Sequence, residues 1–155
     1  MRETLIPVPV PWHNFSSASG ISVTFNESEG LSVKFAVLSL RDLSGNSKFS
    51  VELRFHHPAD IRLMCAIGNR ESFDDSRYDL TKIPVASRRS SDFSGGMKRW
   101  TRTNICPDPF FYSVQNSKLV EELGMEKFGG IEFILPGDDW SLRVVAHGLE
   151  WSWAQ

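Results

Sequence analysis

The chain has 155 residues, 41% of them hydrophobic and 23% charged, which is the size and balance of an ordinary globular domain. Seventeen basic residues against nineteen acidic ones leave a formal charge of -2, which excludes a strongly basic nucleic-acid binder and a long acidic tail. That total hides a segregation: residues 1–67 carry six charges of each sign, 68–108 eight basic and six acidic, and 109–155 three basic and seven acidic.

The chain starts with Leu5 to Trp12, where apolar residues alternate with Pro7, Pro9 and Pro11. Proline fixes an extended backbone and donates no hydrogen bond, so this is a polyproline-like arm or an edge segment. The prolines and Glu3 also break the apolar run a signal peptide needs, and no stretch reaches the ~18 apolar residues of a membrane span. The expectation is a cytoplasmic protein that does not engage a membrane.

From Gly20 the period is two. Ile21, Val23 and Phe25 alternate with Ser22 and Thr24. After a turn at Asn26–Gly30, Leu31, Val33, Phe35 and Val37 alternate with small or polar residues. This predicts a hairpin with one buried face. Phe49, Val51, Leu53 and Phe55 against Ser50, Glu52, Arg54 and His56 predict the clearest strand, and Ile61, Leu63 and Cys65 a further one.

Residues 68–108 lack sustained periodicity and are rich in Ser, Arg, Asp and Gly, which predicts a long polar, basic loop with a short strand or turn near Leu80–Val85. Order returns with a strand at Phe110–Val114. Asn116 or Ser117 then caps a short helix that carries Leu119, Val120 and Leu123, with Gly124 just past its end. Ile131, Phe133 and Leu135 form a strand, Pro136–Asp139 a turn, and Trp140–Ala146 a strand whose period continues through Leu149, Trp151 and Trp153. The fold class is therefore α+β and mainly antiparallel β. It is a sheet or sandwich of about eight strands with one short helix near 117–123, in a single domain over 1–155.

Cys65 and Cys106 lie 41 residues apart with no CxxC, so buried free thiols are expected rather than a zinc site or a disulfide scaffold. There is no phosphate-binding glycine loop, no HExxH and no GxSxG, and the reading leans away from an enzyme, with no cofactor and no metal. Arg88, Arg89, Lys98, Arg99, Trp100 and Arg102 place five cations and an aromatic ring in the long loop, opposed only by Asp92. That composition suits an acidic protein partner, and as a second alternative single-stranded nucleic acid, through phosphate attraction and base stacking. Asp138 and Asp139 offer an acidic alternative surface. The first alternative is a small-molecule-binding protein or hydrolase. Its pocket would be formed by Glu52, Arg54 and His56, which alternation places on one strand face, together with His147.

The segments Phe110–Leu119, Gly130–Leu135 and Leu142–Ala146 resemble a pattern of small bacterial proteins, some of them similar to toxin-neutralising immunity proteins encoded beside secreted toxins. In that pattern an aromatic strand leads through Asn-Ser into a short helix, and a closing hairpin ends in a Val-Ala-like strand. Phe55, His57 and Arg62 match an upstream aromatic–His–Arg feature. The resemblance implies a stand-alone protein-binding domain and assigns no role to any residue.

Overall fold

The computed structural model describes residues 2–14, 20–39, 49–65, 75–84, 93–137 and 140–154. The strands are β1 (Thr4–Pro7), β2 (Trp12–His13), β3 (Ile21–Asn26), β4 (Gly30–Ser39), β5 (Phe49–His56), β6 (Asp60–Cys65), β7 (Tyr112–Gln115), β8 (Ile131–Leu135), β9 (Trp140–Ala146) and β10 (Gly148–Ala154). Helix α1 spans Phe93–Thr103 and α2 spans Lys118–Glu122. The α+β, mainly antiparallel class read from the alternating runs is the observed one. The proline-rich arm supplies two further short strands.

One sheet runs β1-β7-β8-β9-β6. The other runs β10-β5-β4, with β2 and β3 sharing the far edge of β4, and every pairing is antiparallel. The alternation predicted for β4 and β5 holds residue by residue. Leu31, Val33, Phe35, Val37, Val51, Leu53 and Phe55 are buried on one side, and Lys34 and Arg54 are exposed on the other. Facing them are Phe133 and Leu135 of β8 and Trp140, Leu142, Val144 and Ala146 of β9. Phe35 meets Trp140 edge-on at 5.6 Å, and Phe55 meets Phe133 at the same separation, so the two sheets pack as a sandwich.

The proline arm closes this core. Trp12 is fully buried, stacked on Phe111 at 5.7 Å with Phe35 and Trp151 edge-on to it. Pro7 sits in the edge strand β1, where a missing donor costs no ladder bond.

The two sheets are also joined covalently, twice, at one corner. The chain leaves β5 for β6 through His57-Pro58-Ala59, and it leaves β9 for β10 through His147. Asp60 pairs Val145 and His56 pairs Gly148, so three residues on one side oppose two on the other. This is one residue too many, as in a β-bulge, and such an excess bends a paired ribbon from one sheet into another. Bonds from His147 N to His56 O (2.9 Å) and from Ala59 N to Val145 O (2.7 Å) carry the ribbon through the bend.

The predicted long loop over 68–108 is only partly a loop. Residues 75–77 form a 3-10 turn. Tyr78 and Ile83 are buried beside Leu5, and the Asp79 backbone bridges to the β1 edge. The Leu80–Val85 turn is present up to its described limit at residue 84. Residues 93–103, expected to be loop, are the helix α1. Its sequence FSGGMKRWTRT places Phe93, Met97 and Trp100 at the i, i+4, i+7 spacing of a helix, but the two glycines and the surrounding polar residues obscured that period. Helix α2 matches the expectation: Ser117 caps it by accepting from Val120 N at 3.1 Å, and Leu119 and Val120 are buried, while Leu123 is exposed.

Candidate functional site

Among the described side chains, Trp100 holds helix α1, together with the chain that leaves the helix. The Trp100 indole is buried, and its N–H donates to the Pro11 carbonyl at 3.1 Å. Past the helix end, Cys106 N donates to Val10 O at 2.8 Å, so both anchors lie on the proline arm. With Trp100 turned inward, Lys98, Arg99 and Arg102 are exposed on the outer side of the helix. Trp100 therefore positions the cationic face and is not itself a contact surface. Arg88 and Arg89, and the acidic pair Asp138 and Asp139, lie outside the described residues.

The arginines of α1 differ from the described arginines elsewhere in the fold. Arg2 donates to the Ser76 carbonyl at 2.7 Å, Arg54 to Glu52 at 2.6 Å, Arg62 to Asp60 at 2.8 Å and Arg77 to Glu3 at 3.3 Å. Arg143 grips the fully buried Glu132, which also accepts from Ser117 Oγ at 3.0 Å. Each described arginine outside α1 is thus satisfied within the chain. Arg99, Arg102 and Lys98 form no ion pair or hydrogen bond through their side chains among the described residues.

The four residues of the alternative pocket do not share one. Glu52 and Arg54 lie on the outer face of β5, where Lys34 Nζ also stands 3.6 Å from Glu52. The Arg54 hydrogen bond is the main reason that the Glu52 carboxyl titrates below its ordinary range. They border a shallow groove of about 260 Å³ lined by the hydroxyls of Ser22, Thr24 and Ser32. His56, the next outward residue, sits past this groove with Nε2 3.6 Å from Glu150. It meets His147 instead at the corner, in a separate cavity of about 650 Å³.

Two groups at that corner escaped the sequence reading. Strand alternation through β5 would put His57 on the face opposite His56, but the bulge turns its ring to 5.4 Å from that of His147, with its backbone at φ 50°. Glu27 and Glu29 were read only as turn residues, and they line the same cavity. Non-local pairing brings these together, which no local pattern encodes.

No family model, curated protein or solved structure matches the chain. Chemistry must therefore be judged on the geometry alone. Among the described residues no group of three or more His, Cys, Asp or Glu is placed to hold a metal ion. Cys106 is buried and free, and burial pushes its thiol up to about 12, leaving essentially no thiolate near neutral pH. Asn14 donates to the Phe110 and Pro136 carbonyls at 3.2 Å each, and Tyr112 donates to Asp108. What the fold offers is two surfaces: a cationic helix face and a histidine-lined cavity.

Proposed function

We propose that the chain is a cytoplasmic, non-enzymatic binding domain that docks an acidic protein surface against the exposed face of α1. One observation carries this reading: Lys98, Arg99 and Arg102 have no counter-charge among the described residues, whereas Arg54, Arg62, Arg77 and Arg143 each have one. Unpaired cations on a surface accelerate encounter with an acidic partner and gain from pairing at the rim of an interface. Trp100 holds the helix in place before binding, which lowers the ordering cost of association. Ile105, 44% exposed just beyond the helix, supplies apolar contact area beside the charges. In the form the sequence resemblance implies, the partner is a secreted toxin and docking neutralises it. No described helix is long and apolar enough to cross a membrane.

The test is a triple charge reversal, K98E/R99E/R102E, compared with the native chain in affinity purification from native extract. A stoichiometric protein retained by the native chain and lost by the variant, with unchanged far-UV circular dichroism, meets the expectation. Equal retention by both chains overturns it. Binding of a single-stranded oligonucleotide with a steep salt dependence, abolished in the variant, would replace the protein partner with nucleic acid.

A further inference from the structure

Three of the chain's four histidines, His56, His57 and His147, converge on the corner where the ribbon passes between the sheets. They come from segments about ninety residues apart in sequence (56–57 and 147) and are fixed by the bonds that cross the bend. Their cavity, about 650 Å³, falls in the size range of small-molecule sites.

The opposite wall is the β3–β4 turn. Gly30, at φ 81°, lets that turn close on β5, because a Cβ there would stand 2.6 Å from the Phe55 carbonyl oxygen. The Asn26 side chain accepts from Ser28 N and Ser28 Oγ, which holds Glu27 and Glu29 at the rim. No lysine or arginine lines the cavity among the described residues. Glu27 has no ion-pair partner there, and Arg54 reaches Glu29 only through space. The apolar part of the lining is Phe25, Pro58 and Met125, and the Phe25 ring is 60% exposed.

We propose that this corner cavity binds small organic cations, an amine or amidinium on a flat apolar body. Glu27 and Glu29 take the charge, the Phe25 ring face contributes cation–π attraction and the imidazoles supply orienting hydrogen bonds. Glu27, with no ion-pair partner among the described residues, keeps its field for a ligand, Glu29 is only partly offset by Arg54, and an aromatic face beside them favours a cation over an anion. The absence of a three-ligand arrangement among the described residues directs the site away from a metal.

The experiment follows the imidazole carbon-bound protons of the full chain by NMR during titration with phenethylamine, tryptamine and benzamidine. 3-Phenylpropionate serves as the anion of the same shape, and zinc as the metal control. Saturable shifts of His56, His57 and His147 with at least one of the cations are expected, with the anion at least about tenfold weaker. Glu27→Gln with Glu29→Gln should weaken the cation about tenfold, while leaving the thermal midpoint in place. Phe25→Ala should also weaken it. No saturable shift with any of the three cations up to about 10 mM overturns the proposal. So does equal binding of phenylpropionate, indifference to the double substitution, or saturation by zinc alone.

Discussion

At the scale of single residues, burial decides chemistry more than residue type does. Cys106 is a nucleophile by composition and an inert thiol by position. It is 3% exposed, its backbone N–H is tied to Val10, and burial raises its thiol from 9.0 to about 12. The raised value fixes the sign of its linkage to folding. The unfolded chain loses this proton near pH 9 and the folded chain only near pH 12, so the contribution is fully present below pH 9 and is lost as pH rises from 9 to 12. Tyr78, raised chiefly by burial, adds to the same alkaline loss above its ordinary range. In a Cys65→Ser background, a thiol reagent at pH 8 should label the native chain at least about a hundredfold more slowly than the denatured chain. Denaturant midpoints should fall between pH 9 and pH 12. Rapid native labelling, or a flat profile over that window, would show that the thiol is not held as described.

At the scale of elements, α1 and α2 show two ways of making a short helix. Helix α2 is locally encoded: a Ser117 cap, two adjacent apolar residues and a glycine at φ 67° after its end. Helix α1 rests, among the described side chains, on the long-range anchor of Trp100. Its first turn carries no acid and its sequence includes Gly95-Gly96, each glycine disfavouring helix by about 1 kcal/mol. Trp100→Ala should therefore remove both the burial and the Pro11 hydrogen bond, destabilising the fold by about 3 kcal/mol. It should also bring amide exchange at residues 98–104 to the rate of an open chain, while the strand amides keep most of their protection. Trp100→Phe should retain part of the burial and fall between the two. If exchange in 98–104 stays unchanged in Trp100→Ala, the anchor is elsewhere. The same contrast explains what could be read in advance. Strands β4, β5, β9 and β10 were legible because one face of each faces apolar neighbours, which forces period two; β3 forms at its predicted place, but the buried face expected of it is absent, since Val23 and Phe25 are exposed and only Ile21 packs on the core. Helix α1 and the corner were not. Gly95-Gly96 interrupt the Phe93, Met97, Trp100 spacing of α1, and the face of His57 depends on a one-residue excess that appears only when two distant strands are paired. The candidate cations Lys98, Arg99 and Arg102 were legible as composition. Their lack of a counter-charge required the partners of every other arginine to be known.

At the scale of the whole molecule, the ribbon that runs through β5–β6 and β9–β10 places both sheets on the same two pieces of chain. The layer between the sheets is shared, although the outer face of the β1–β6 sheet also packs on Tyr78 and Ile83 and on helix α2. Phe35, Leu53 and Phe55 on one side need Phe133, Leu142 and Trp140 on the other, and Trp12 from the arm fills the end of the same layer. Each such fully buried large side chain contributes about 2 kcal/mol of transfer free energy, and this is gained only when both sheets are present. A partly folded chain with one sheet intact would expose its whole inner face while keeping the ordering cost of its strands, so it should not be populated. Denaturant unfolding should accordingly be one cooperative transition. Tryptophan fluorescence reports on all five tryptophans, Trp12 and Trp140 between the sheets among them, and far-UV circular dichroism reports on the strands as a whole. The two should give the same midpoint and slope, and Phe133→Ala should move both midpoints together by about 3 kcal/mol. Two separated transitions, or a fluorescence change that precedes the loss of strand signal, would show that the sheets are independently stable and that the corner is a hinge instead of a shared frame.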